Sequence, residues 1–88
     1  MKHHSHPDII LRLKRVEGHL RSLIGMMEAE RPCLELAQQL HAIERAISNA
    51  KHELIHDHME HCLDEKADGA SSPARGALRE FKMLSKYL

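Results

Sequence analysis

Residues 33–68 read CLELAQQLHAIERAISNAKHELIHDHMEHCLDEKAD, a run of 36 residues with neither proline nor glycine. Nothing in it interrupts a helix, and Pro32 just before it suits a first helical turn, where the missing N–H is not needed. Leu36, Leu40, Ile43, Ile47, Ala50 and Leu54 recur in alternating steps of four and three, the period of one helical face. The small Ala42, Ala46 and Ala50 would let another helix approach closely. Followed outward, this ladder reaches Cys33 at one end and His58 at the other, so one long helix is expected to carry both.

On the N-terminal side, Pro7 suits a first helical position and Asp8 complements the positive end of the helix dipole. Ile9, Leu13, Val16, Leu20, Leu23 and Met27 then mark a first amphipathic helix running to about Glu30. On the C-terminal side, Asp68, Gly69, Ser71, Ser72 and Pro73 predict a loop within residues 66–75. A short third helix should follow, with Leu78, Phe81, Leu84 and Leu88 on one face, folding back over the end of the bundle. The chain is rich in helix formers and only 2% aromatic, poor material for a sheet. The expected fold is therefore all-α, a three-helix protomer with a long central helix, forming a single domain over residues 1–88. Residues 1–6 read as a flexible His-rich arm.

No stretch approaches the roughly 20 apolar residues of a membrane span, and residues 1–10 lack the apolar centre of a signal peptide. A cytoplasmic location without membrane contact is expected. In that reducing compartment Cys33 and Cys62 are thiols, available as ligands or redox groups. The 13 basic and 13 acidic residues cancel, which argues against binding nucleic acid by bulk charge alone. Their distribution is uneven. Lys2, Arg12, Lys14, Arg15 and Arg21 make the first helix basic, whereas Glu53 to Asp68 holds six acids against Lys66. The chain carries no carboxylate pair, nucleophile with its base, or phosphate-cradling loop, which argues against an enzyme.

Cys33 and His58 are 25 positions apart. At about 100° and 1.5 Å per residue they point within about 20° of each other yet stand roughly 37 Å apart along the axis. No single ion can touch both in one continuous helix, so a second copy must supply the other end. Packed antiparallel about a dyad near Ala46 and Ile47, position 33 of one copy falls opposite position 60 of the other, between His58 and Cys62. Twofold symmetry then makes two identical sites and a four-helix-bundle core. His58 and Cys62 are one helical turn apart, a spacing that lets both reach one ion. Two thiolates and an imidazole suit Cu(I) and, with an added nitrogen, Ni(II) or Zn(II). His3, His4 and His6 are candidate extra nitrogens, and His61 is an alternative ligand or a surface histidine. Taken singly, either cysteine could be an ordinary buried residue; His58 in register is what favours ligation.

The run Arg12-Leu13-Lys14-Arg15-Val16-Glu17-Gly18-His19-Leu20, Cys33 fifteen residues after Gly18, the run Gln38-Gln39-Leu40-His41-Ala42-Ile43, and the His58/Cys62 pair resemble the CsoR/RcnR/FrmR family of bacterial repressors over nearly the whole chain. The resemblance implies an antiparallel dimer, assembled into a dimer-of-dimers tetramer, that binds operator DNA when metal-free and is released on metal binding, derepressing metal efflux genes. Carried over, Cys33, His58 and Cys62 match the ligand set of the copper sensors. Glu80 matches a glutamate that supports it, granted two more residues in the preceding loop. Arg12, Lys14 and Arg15 match the DNA-facing bases. Two features depart from the copper sensors: Pro32 stands where they carry tyrosine, and the His-rich arm is closer to the nickel and cobalt sensors. Cu(I) is the favoured ion, with Ni(II) the alternative and Zn(II) or Co(II) open. A cysteine-based redox or formaldehyde-type sensor on the same fold, and a metal buffer or chaperone that ignores DNA, are the remaining readings.

Overall fold

A computed structural model describes the backbone of residues 6–68 and 74–88 and the side chains of residues 6–61 and 76–88. Three helices follow in order: α1 (His6–Glu28), α2 (Cys33–Asp68) and α3 (Ala74–Ser85). There is no strand among the described residues. The all-α expectation holds, and α2 runs unbroken through its 36 residues, about 54 Å of helix. His3 and His4 of the expected arm, most of the expected loop and the side chain of Cys62 lie outside the described residues. His6, expected in the arm, is instead the first residue of α1 and is half-buried.

The turn between α1 and α2 is built from the helix end itself. Glu30 N–H donates to the Met27 carbonyl at 3.0 Å and Arg31 N–H to the Met26 carbonyl at 3.1 Å, the paired bonds of a Schellman motif. The motif needs a left-handed residue, and Glu30 supplies it at φ 57°. Pro32 then accepts the first bond of α2 from Leu36 N–H at 3.1 Å, so it caps the helix from outside rather than forming its first turn. Arg31 and Glu35 pair side by side with N···O distances of 2.8–3.2 Å, an exposed pair of small energetic weight.

α1 and α2 lie against each other through Val16, Leu23 and Ile43, with Leu36 and Ala46 packed alongside. Ile9 and Ala50 are buried as well. The buried 9, 16 and 23 of α1, and the buried 43 and 50 of α2 with the half-buried 36 before them, each repeat every seven residues, the period of a coiled-coil seam. This divides the apolar ladders read from sequence. One flank of each closes the hairpin, while Leu13, Leu20 and Met27 on α1 and Leu40, Ile47 and Leu54 on α2 stay exposed.

α3 reaches back to α2. Among its described side chains Ala77 and Leu84 are half-buried; Leu78, Phe81 and Leu88, expected on its packed face, are exposed, and Leu88 lies beyond the helix end. The chain is long and thin, 59 × 23 × 13 Å, with a radius of gyration of 18.0 Å against about 12 Å for a compact domain of this length. It exposes 7080 Å², where a compact monomer of 10.1 kDa would expose about 5300 Å².

Candidate metal centre

Cys33 is the first residue of α2, a free and exposed thiol set there by the turn that ends α1. Because α2 is continuous, His58 keeps the direction of Cys33 to within about 20°. Between them run Leu40, Ile47 and Leu54, on the same side of the rod and 42–48% exposed. The α1-facing residues Leu36, Ile43 and Ala50 lie on the adjacent flank, about 40° round. Both candidate donors therefore open onto the side of α2 that its own hairpin leaves uncovered.

At the far end the side chains are organised. His58 Nε2 and Glu80 Oε1 of α3 are 2.7 Å apart, a bond from ring N–H to carboxylate. An imidazole that donates from Nε2 presents its lone pair at Nδ1, and a carboxylate on the opposite nitrogen raises the ring's basicity toward a metal. One turn further along α2, His61 Nδ1 lies 3.1 Å from the Asp57 backbone oxygen and 3.2 Å from its Oδ1. Asp57 is 8% exposed and His61 is half-buried, so both belong to the packed end of the helix. The sequence reading did not single out Asp57; an Asp–His pair at i, i+4 was the available signal. Within one chain, no three metal-binding side chains gather among the described residues.

His6 comes to the same half of the molecule. His19 Nε2 and Gln39 Oε1 meet at 2.5 Å across the hairpin. Thirteen residues back along α1 and thirteen on along α2, that register sets the start of α1 at the level of residue 52. Arg12, Lys14 and Arg15 are all exposed on α1. Arg12 and Arg15 share a flank, about 60° apart, while Lys14 points about 100° from Arg15, so the three do not form a single stripe. Arg21, seven residues beyond Lys14, lies nearly in line with it.

The sequence and the fold both have a match. Residues 5–86 fit the family described as metal-sensitive transcriptional repressor. The chain belongs to that family. It is 32% identical over 77 residues to the copper-sensing transcriptional repressor CsoR of Bacillus subtilis, covering 85% of this chain and 76% of that one. It is 30% identical over 69 residues to the copper-sensing transcriptional repressor RicR of Mycobacterium tuberculosis, covering 78% and 72%. The solved structure of the nickel-responsive transcriptional regulator InrS superposes with a TM-score of 0.85 at 29% identity, over 100% of this chain and 98% of the other. The repressor is thus a metal-sensing regulator and not an enzyme. No helix among its described residues is long and apolar enough to cross a membrane.

Proposed function

We propose that this cytoplasmic repressor binds operator DNA through the basic surface of α1 when metal-free, and lets go when Cu(I) binds between two protomers. Cys33 of one copy and His58 and Cys62 of the other would hold the ion. The observation that carries this reading is the unbroken α2. It puts Cys33 and His58 on one side of a rod but roughly 37 Å apart, so the ligands can meet only through an antiparallel second copy. The exposed Leu40, Ile47 and Leu54 between them are the apolar surface such a copy would cover, and the extra 1800 Å² or so of exposed area is of the order a dimer interface buries. A tetramer would form by pairing two such dimers.

The residues present fit a soft ion: two thiolates and one imidazole form a three-donor set, and Glu80 already orients His58. When bound, the ion supplies a link between the two subunits that neither provides alone. Release from DNA requires that the ion prefer the DNA-incompetent arrangement, since equal affinity for both would shift nothing. Ni(II) is the second reading, favoured by the likeness to a nickel-responsive regulator and by His6, with His3 and His4 before it, as added nitrogen donors. His61 is a reserve donor in either case, and Zn(II) or Co(II) would need the same nitrogens.

Fluorescence anisotropy with operator DNA tests the proposal. The cognate ion should weaken DNA binding about 5–150-fold, the usual range of allosteric coupling. Unchanged affinity at saturating metal removes the sensing role, and a response that survives His58→Ala transfers it to cysteine redox chemistry. X-ray absorption separates a three-coordinate sulfur-rich shell from a nitrogen-rich one and so decides between Cu(I) and Ni(II).

A further inference from the structure

Three histidines of α2, His41, His52 and His56, take no part in the hairpin seam or in the proposed sensing centre, and the last two stand one turn apart. His52 follows Ala50, buried against α1, by two residues and is therefore turned about 200° from it. His56 precedes His58 by two residues and points away from it by the same angle. Both are exposed, His56 with 73% of its side chain open to solvent. Four residues apart, they stand one above the other on one flank of the helix, the spacing at which two imidazoles reach a single ion. Glu60, a further turn along, brings Oε1 to 3.6 Å from His56 Nε2. That is too long for a hydrogen bond, and what Glu53 and Glu60 supply is local negative charge that attracts a cation.

We propose that His52 and His56 form a second, surface metal site on the side of α2 turned away from α1, taking a borderline divalent cation of the Zn(II), Ni(II) or Cu(II) class. Imidazole nitrogen suits these ions. Because no third donor converges on the pair among the described residues, water fills the remaining positions and the ion exchanges readily. The stretch His52-Glu53-Leu54-Ile55-His56 has the His-Glu-x-x-His spacing that holds zinc on metalloprotease helices. Here it lies on an open, convex helix surface that encloses no substrate, which supports binding rather than hydrolysis. The site shares no donor with the sensing centre and stands or falls independently of it.

The test uses the full chain carrying Cys33→Ser, His58→Gln and Cys62→Ser, titrated with zinc while the histidine ring resonances are followed by NMR. The His52 and His56 rings should shift together in one saturable step. Adding His52→Gln should move the His56 midpoint to at least about tenfold higher zinc, because the second donor no longer acts within the same molecule. His41→Gln, on the same helix, should leave that midpoint unchanged, with the helical circular dichroism of all variants alike. The proposal is overturned if zinc shifts other histidines while these two rings stay still, or if His56 titrates identically without His52. Repeating the titration on the unsubstituted chain, beyond its first equivalent of metal, guards against misfolding of the background and must give the same paired shift.

Discussion

His58 is held by a residue from another helix, and that is where the chemistry of the proposed centre can be tested most locally. Replacing Glu80 by Ala removes the carboxylate from the ring nitrogen and should lower metal affinity about 10–100-fold in a chelator competition, with the helical signal unchanged. An affinity equal to the parent's would separate Glu80 from ligation altogether. The direction shared by Cys33 and His58 was legible from residue arithmetic, because an uninterrupted helix carries phase faithfully over 25 positions. The Asp57–His61 pairing was not. The six acids from Glu53 to Asp68 carry no mark of which one is enclosed, and only the packing around that end shows that Asp57 is buried.

At the scale of the helices, the hairpin depends on a narrow seam, and its most enclosed side chain is Leu23, 2% exposed. Leu23→Ala should cost about 2–5 kcal/mol in chemical denaturation. Leu34→Ala, at a side chain 72% exposed, should stay within about 0.5 kcal/mol. The end of α1 offers a change of opposite sign. Glu30 holds a left-handed conformation that costs an L-residue about 1–2 kcal/mol, partly offset by glycine's greater freedom in the unfolded chain. Glu30→Gly should therefore raise stability by about 0.5–1 kcal/mol, read as a higher denaturation midpoint. The long helix was legible because nothing in residues 33–68 could stop it. The flank of the ladder given to α1 was not, since steps of three and four define a broad stripe and the partner selects the seven-residue subset within it.

The whole protomer has too much surface for its mass, and the excess includes the apolar line of Leu40, Ile47 and Leu54. Ile47→Lys puts a charge in the middle of that line. In sedimentation velocity at micromolar concentration it should shift the chain toward its 10.1 kDa protomer mass, whereas an unchanged assembly would move the interface elsewhere. A second copy is what the proposed centre requires, given the distance between Cys33 and His58; the exposed flank that would receive it is visible only once α1 is seen to occupy the other. The continuity of α2 also governs which genetic changes the molecule can absorb. A missense change at an outward position leaves the screw of the helix intact, but deleting one codon between residues 44 and 52 would twist everything downstream by about 100°. Ile55 would leave its buried place and His58 would quit the side it shares with Cys33, so the gene for such a rod should forgive spelling errors there far more readily than a change of length.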